Sequence, residues 1–171
     1  IKTAPYLFYS SRKVGTTIAN RAHRADAVVG ADILLETLSH SLARQKVTPG
    51  SEIALTNERG QTIAFEDFSR AVKFPDGPDG KPVLANVADL GIPVLEQLAS
   101  RLQAADPTTV QNLSLNVAGN DWHASIHPLK LEGSAPLFLI TAIPDDELMA
   151  AAHHLMRHSL IATIIVILLA I

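Results

Sequence analysis

Residues 110–143 read VQNLSLNVAGNDWHASIHPLKLEGSAPLFLITAI, and this stretch decides the fold. Residues that favour extended structure fill most of it, and turn-forming residues interrupt it twice. The interruptions are Gly119-Asn120 and Glu132-Gly133-Ser134. The pattern predicts three strands, at about 110–117, 121–129 and 136–143. Because short turns join them, we expect an antiparallel three-stranded meander.

Two hairpins are predicted upstream of the meander. Residues 14–20 and 28–34 are rich in β-favouring side chains and flank a charged connection, which is typical of a hairpin. Gly15 and Gly30 within these strands are expected at bulges or at close backbone approaches. The second hairpin surrounds residues 57–60, where apolar and polar residues alternate on both sides. The glycine that ends this turn is expected to need a positive φ.

Two segments between the strands have the apolar spacing of helices. Leucines at 34, 35, 38 and 42 fall on one helix face, and Thr48-Pro49-Gly50 should end that helix. Residues 92–104 are expected to form an amphipathic helix, and residues 75–82 a Pro/Gly loop. The predicted fold class is therefore α/β of the α+β kind. It is a PAS-like antiparallel sheet of about five strands with flanking helices.

The last twelve residues, 160–171, are uncharged and almost wholly apolar (LIATIIVILLAI). A helix needs about 20 apolar residues to span a bilayer, so this run is either a short buried helix or the first part of a span. Arg157 and His158, just before this run, favour the membrane-span interpretation, because they stand where polar residues would flank a span at the membrane interface. Because no helix breaker occurs in 145–171, we expect an exit helix that enters a truncated transmembrane span. Ile1 is neither an initiator methionine nor the start of a signal peptide, so we expect an excerpt of a longer protein.

The composition excludes several classes of function. The chain has 14 Lys and Arg against 17 Asp and Glu, a net charge of −3, and the two signs are interleaved. We therefore expect no basic surface for nucleic acid. The chain has no cysteine, which excludes disulfides, thiolate catalysis and cysteine-bound zinc. No cofactor is predicted.

Three short motifs resemble the double Cache sensor domains of bacterial receptors. VVGADI at 28–33, followed by Leu38-Ser39, resembles their closing strand and crossover helix. NERGQTIA at 57–64 resembles the hairpin that begins their second module, and PDDEL at 144–148 resembles their exit. Ala31 departs from the valine that is usual there.

The resemblance implies three parts. Residues 1–46 are expected to be the C-terminal part of a membrane-distal Cache module with its crossover helix. Residues 47–144 are expected to form a membrane-proximal PAS-like module. Residues 145–171 would be the exit helix and the start of the transmembrane span.

The resemblance also implies an extracytoplasmic ligand sensor. Such a domain lies in the periplasm, belongs to a homodimeric protein of the bacterial inner membrane and binds a small molecule. Its exit helix controls an adenylate or guanylate cyclase, a histidine kinase, a diguanylate cyclase or a chemoreceptor output. VADLG at 87–91 and PDDE at 144–147 most resemble sensors attached to class III adenylate/guanylate cyclases. No catalytic activity is expected in this segment itself.

Asp32 is the first candidate ligand contact. In Cache sensors that bind amino acids, the matching aspartate accepts the ammonium group of the ligand, and a tyrosine on the preceding strand assists it. Tyr6 and Tyr9 are the candidate partners in this chain. A carboxylate suits the role because a charge-assisted hydrogen bond in a dry pocket is strong and selective. The alternative is a structural role for Asp32 beside the crossover helix.

The strand predicted at 121–129 offers further candidates. Alternation along the strand places four polar residues on one face: Asp121, His123, Ser125 and His127. We predict ligand contacts at His123, which would line a pocket, and at Trp122. Residues four apart on a strand are separated by about 13 Å, so the two histidines cannot share a metal ion. The alternative is a solvated strand face with Trp122 in the core.

No catalytic or metal site is predicted. His154 and His158 have the spacing of a zinc-binding helix, but they lack an intervening glutamate and a third ligand. Residues 76–80 lack the oxygen spacing of a calcium loop. Two other functions stay open: a membrane-anchored hydrolase or metalloenzyme, which needs a convergent site, and a dimerisation module without a ligand.

Overall fold

A computed structural model describes residues 3–22, 26–77, 80–130 and 135–150. A three-stranded antiparallel sheet forms the first part of the chain. Its strands, in spatial order, are β1 (Tyr6–Leu7), β2 (Val14–Arg21) and β3 (Val28–Leu34). β2 and β3 pair from Gly15 opposite Leu34 to Arg21 opposite Val28, which confirms the first predicted hairpin.

Strand β3 continues into the first helix without a loop. Helix α1 (Leu35–Ala43) begins at the residue after the strand, and Leu34 keeps extended backbone angles, φ −77° and ψ 126°. The helix ends before Thr48, as its sequence predicts.

The remaining elements follow in the order β4 (Glu52–Asn57), β5 (Thr62–Phe65), α2 (Phe68–Ala71), β6 (Val72–Lys73), β7 (Val83–Leu84), a 3-10 helix (Val87–Leu90), α3 (Pro93–Leu102), β8 (Gln111–Val117), β9 (Asn120–Leu129) and β10 (Leu137–Pro144). Five of these strands form the second sheet, in the spatial order β5–β4–β10–β9–β8. All neighbours in it are antiparallel, which confirms the predicted meander. The molecule is thus a mixed α+β fold with antiparallel sheets.

Turn chemistry determines the two sharp reversals of this sheet. At the β4–β5 turn, Gly60 has φ 74°, as predicted, and the Asn57 side-chain oxygen accepts hydrogen bonds from the backbone amides of Arg59 and Gln61 at 2.9 and 3.0 Å. The β8–β9 turn lies one residue earlier than predicted. Ala118 and Gly119 occupy it with φ 52° and 85°, because a two-residue hairpin turn of this kind needs positive φ at both central positions.

The core lies between the second sheet and the helices. Helix α3 buries one face, formed by Val94, Leu95, Leu98, Ala99 and Leu102, in agreement with the predicted amphipathic helix. Facing residues of the sheet, among them Phe65, Ile126 and Ile140, are almost completely inaccessible to solvent. Trp122 is partly buried and packs against this core. Burial of this apolar face is the main force that holds the helix on the sheet.

The two strand glycines of the first sheet differ. A Cβ on Gly15 would lie 2.5 Å from Cζ of Phe8 and 2.6 Å from the carbonyl oxygen of Ile33, which confirms a close approach. A Cβ on Gly30 would make only an ordinary contact, 3.6 Å from Cγ2 of Thr17. The prediction for Gly30 is therefore wrong, since the neighbouring strand leaves room for a side chain there.

The predicted exit helix is described only in its first part. Residues 145–150 are helical, whereas the apolar run at 160–171 lies outside the described residues. Within the described ranges, no helix has both the length and the apolar character needed to cross a bilayer.

Candidate functional site

Asp32 is joined to Tyr6 by a relay of hydroxyl groups on the first sheet. The Thr17 hydroxyl donates to Oδ1 of Asp32 at 2.6 Å, and the Tyr6 and Thr17 hydroxyl oxygens are 2.7 Å apart. A threonine hydroxyl has a single hydrogen, so Tyr6 is the donor to Thr17. The relay therefore orients all three groups and leaves Oδ2 of Asp32 open to a further donor, as far as the described residues go.

The sheet register places the three residues together. Thr17 lies directly opposite Asp32, and Tyr6 lies opposite Gly15, two residues away along β2. The Tyr6 ring also meets the Phe8 ring edge-on, with centroids 4.9 Å apart and planes at 85°. Phe8 packs against Gly15, where any side chain would clash with its ring, and this contact positions the aromatic pair beside the relay.

Asp32 also lines a surface cleft of about 350 Å³ at the junction of β3 and α1. Its lining residues are Asp32, Ile33, Leu34, Thr37, Leu38 and Ser41. The relay faces solvent, since Asp32 is exposed and Tyr6 is 40% exposed. The cleft thus combines one open carboxylate oxygen, hydroxyls and an apolar wall, which can receive a small cation that carries an apolar group.

A second cleft, of about 420 Å³, lies on the polar face of the second sheet. Its polar lining comes from neighbouring strands: Asn112, Ser114, His123, Ser125 and Thr141. Nε2 of His123 lies 2.8 Å from Oδ1 of Asp145, and the Ser125 and Thr141 hydroxyls are also 2.8 Å apart. Leu148 of the exit helix closes one side. A ligand in this cleft would touch the exit helix directly.

Comparison with known proteins was informative for the fold. The chain matches no protein-family model. It is 26% identical to Adenylate cyclase 1 of Rhizobium meliloti (strain 1021) over 179 residues, an alignment that covers 100% of the chain and 25% of that protein. The chain therefore spans about a quarter of the length of this curated relative.

Solved structures are similar over most of the chain. They include the ligand-binding domain of the Pseudomonas aeruginosa PAO1 amino acid chemoreceptor PctB in complex with L-Arg, with 18% identity, a TM-score of 0.52 and coverage of 92% of the chain and 55% of that domain. The extracellular domain of the histidine kinase mmHK1S-Z3 has 13% identity and a TM-score of 0.53, and the match covers 91% of the chain and 52% of that domain. The ligand-binding domain of the Pseudomonas fluorescens chemoreceptor CtaA in complex with L-isoleucine has 18% identity and a TM-score of 0.50, and the match covers 88% of the chain and 54% of that domain.

The fold is Cache-like. At these identities the likeness establishes the fold, and it confirms the resemblance to double Cache sensor domains stated above. The chain spans about half the length of these extracellular domains.

The Cache-like fold brings together some of the predicted site residues and separates others. Tyr6 joins Asp32 through Thr17, whereas Tyr9 is 93% exposed in the turn after β1 and does not reach the relay. Trp122 and His123 lie on β9 in the other sheet and on opposite faces of it. His123 lines the second cleft and Asp32 the first, so the structure does not bring these two residues together.

Thr17 is the residue of this candidate site that sequence reasoning missed. Its position in β2 is informative only once the register sets it opposite Asp32, and register depends on the length of the charged connection between the strands. The sequence did show that Thr17 is a polar residue two positions after Gly15, on the same face of the predicted strand.

Metal-binding candidates are few in the described residues. No group of three or more His, Asp or Glu side chains there is arranged to hold a metal ion. His154 and His158 lie outside the described residues, as does part of the loop at 76–80.

Proposed function

We propose that the chain is the ligand-sensing part of a bacterial transmembrane receptor, held in the periplasm by an inner-membrane anchor. The Cache-like fold and the likeness to extracellular domains of chemoreceptors and a histidine kinase support this role. The observation that carries it is the Tyr6–Thr17–Asp32 relay, which presents an oriented carboxylate beside a cleft.

The ligand is a small molecule with a primary ammonium group. In the resemblance stated above, the aspartate that corresponds to Asp32 accepts such a group, and the two chemoreceptor domains named above were solved with L-Arg and L-isoleucine. Oδ2 of Asp32 is the acceptor for the ammonium group, while Thr17 holds Oδ1 in place. A charge-assisted hydrogen bond of this kind is about twice as strong as a neutral one.

The cleft at His123 is the second candidate for a ligand contact, because it adjoins the exit helix. Tyr9 and Trp122 are assigned secondary roles. Tyr9 could reach a ligand only from the turn at the edge of the first sheet, and Trp122 supports β9 from the core side.

The output is adenylate or guanylate cyclase activity on the cytoplasmic side, in a homodimer. The full coverage of this chain by a segment of Adenylate cyclase 1 supports the cyclase over a histidine kinase, diguanylate cyclase or chemoreceptor output. The two modules at 1–46 and 47–144 would receive the ligand and relay its effect, and the helix at 145–171 would carry that effect into the membrane.

Calorimetric titration of the complete receptor with the proteinogenic L-amino acids, one at a time, tests the ligand class. At least one should bind, and Asp32→Asn should weaken that binding about 10- to 100-fold, the range for loss of a hydrogen bond to a charged group. Asp121→Asn is the matched control, because Asp121 is an exposed strand aspartate in the other sheet. Equal affinity of the Asp32 variant and the wild type would refute the site.

A further inference from the structure

The first turn of the exit helix is tied to the loop that follows α1. Oε2 of Glu147 accepts a hydrogen bond from the backbone amide of Gly50 at 2.8 Å. A Cβ at position 50 would lie 2.9 Å from Cδ of Glu147, so only glycine lets the carboxylate approach this closely. The contact joins residues 97 positions apart in the sequence.

The loop is built to present this amide. Ser51 is only 2% exposed, and its hydroxyl donates to the Thr48 carbonyl at 2.7 Å and accepts from the Thr48 amide at 3.2 Å. The Ser51 amide also donates to the Thr48 carbonyl at 3.1 Å. These bonds close a compact turn at 48–51 and hold the Gly50 N–H in an outward position.

The charges around the contact favour the ionised carboxylate. The Thr48 hydroxyl and the Gly50 amide hold the pKa of Glu147 below its usual range, and nearby Lys46 acts in the same direction. Lys46 itself is anchored by Glu66, with Nζ 2.9 Å from Oε2, and its side chain is only 19% exposed. The segment at 44–51, which follows α1, thus supplies Glu147 with the positive charge of Lys46 and the hydrogen-bond donor of Gly50.

A second contact holds the other side of the same helical turn. Asp145 lies 2.8 Å from His123 of β9. The first turn of the exit helix is therefore attached to the second sheet through Asp145 and to the loop at 48–51 through Glu147.

We propose that Glu147 and the turn at 48–51 form a clasp that passes movement of α1 to the exit helix. The inference rests on the proposed function and adds to it the point of transmission. Asp32 lies three residues before α1, the helix has nine residues and spans about 13 Å, and the clasp follows its end. A ligand that favours one position of β3 would thereby favour one position of the exit helix, to the extent that its affinities for the two states differ.

Distance measurements between spin labels test the clasp without any ligand. The chain has no cysteine, so His40→Cys on α1 and Met149→Cys on the exit helix supply its two labelling sites. In complete receptor dimers with one labelled protomer each, and with any cysteine elsewhere in the receptor replaced by serine, the label-to-label distance distribution should be narrow. Glu147→Ala and Gly50→Ala, which break the clasp from opposite sides, should each broaden it about twofold or more. Glu58→Ala, at the exposed tip of a hairpin, is the control and should leave it narrow. An unchanged distribution in Glu147→Ala overturns the clasp.

The ligand response tests transmission. With the amino acid found by titration, Glu147→Ala should bind with wild-type affinity. Its ligand-dependent change in cyclic nucleotide synthesis should be about tenfold smaller than that of the wild type. A variant that binds and responds like the wild type overturns the clasp alone. A wild-type receptor that binds none of the amino acids, while the spin-label distances behave as expected, overturns the proposed function alone.

Discussion

At the residue scale, the position of the Tyr6–Phe8 pair depends on Gly15, because Phe8 occupies the space that a side chain at residue 15 would need. Gly15→Ala should lower the free energy of unfolding by about 1–3 kcal/mol, because the new methyl group meets both Phe8 and the Ile33 carbonyl oxygen. Gly30→Ala in the same hairpin should change it by less than about 1 kcal/mol, since that position has room and alanine restricts the unfolded chain. Urea denaturation of both variants measures the difference, and equal effects would contradict this packing.

Thr17 makes a second prediction at this scale. Thr17→Val keeps the shape of the side chain but removes the hydroxyl that orients Asp32. Ligand affinity should fall about 3- to 10-fold, less than in Asp32→Asn, because the variant keeps the charged acceptor and loses only the bond that orients it. Thr16→Val would not serve as a control, because Thr16 is buried and its hydroxyl donates to the Thr3 carbonyl in the same sheet region as Thr17. Thr109→Val is the control. Its hydroxyl donates to Asp106 within the exposed loop before β8, so calorimetry should show unchanged ligand affinity for it.

Glu52 gives a prediction about pH. Burial raises the pKa of Glu52 above its usual range, although nearby Lys46 opposes the rise, and Oε2 is buried without a hydrogen-bond partner among the described residues. Folding therefore strengthens proton binding by this group, so its contribution lowers the free energy of unfolding as the pH rises above the ordinary glutamate range. Glu52→Gln should raise the Tm at neutral pH and change it little near pH 4. An equal shift of Tm at both pH values would show that the carboxyl charge is not the cause.

Sequence reasoning reached some of these residues and not others. The resemblance to Cache domains gave Tyr6 and Tyr9 as candidate partners of Asp32, and the structure joins Tyr6 to Asp32 through Thr17. Sequence reasoning could not identify Thr17 or the Gly50–Glu147 contact, because both depend on sheet register or on a pairing of distant segments. His123 and Trp122 lie on the predicted meander strand, and a ligand contact at either residue stays a prediction.

At the element scale, α3 is held by a single apolar face. Leu98→Ala should lower the free energy of unfolding by about 2–5 kcal/mol, because Leu98 is completely buried and the cavity would be lined by the sheet. Gln97→Ala, one residue earlier on the exposed face, should change it by less than about 0.5 kcal/mol. Chemical denaturation of the two variants compares them directly. A similar cost for both would mean that α3 is not held by burial.

The elements with strong periodicity were predictable, and the short ones were not. Helices α1 and α3 and the strands of the meander carry apolar patterns at the helical or strand period. Strands β6 and β7 have two residues each, too few to show a period, and they exist because their partners bring them together. The β8–β9 turn was misplaced by one residue, since Gly119 can take either central position of a two-residue turn.

At the scale of the whole molecule, the order of elements predicts a PAS-like sheet with flanking helices, and the motifs at 28–33, 57–64 and 144–148 add the resemblance to Cache domains. The observed arrangement forms a continuous path from the first sheet through α1 and the turn at 48–51 to the exit helix. The ligand itself was not predictable, because its chemistry depends on how a few side chains meet in space. The membrane span also stays a prediction, since the residues that would form it lie outside the described ranges.

In the proposed sensor, a ligand bound at Asp32 controls an activity beyond the exit helix. This control can be measured as cyclic AMP synthesis by the complete receptor against the concentration of the amino acid that binds it. The wild type should give a saturable response, and Asp32→Asn should raise the half-maximal concentration about 10- to 100-fold. The control Asp121→Asn should follow the wild type. A response curve for Asp32→Asn that coincides with the wild-type curve would refute ligand binding at Asp32.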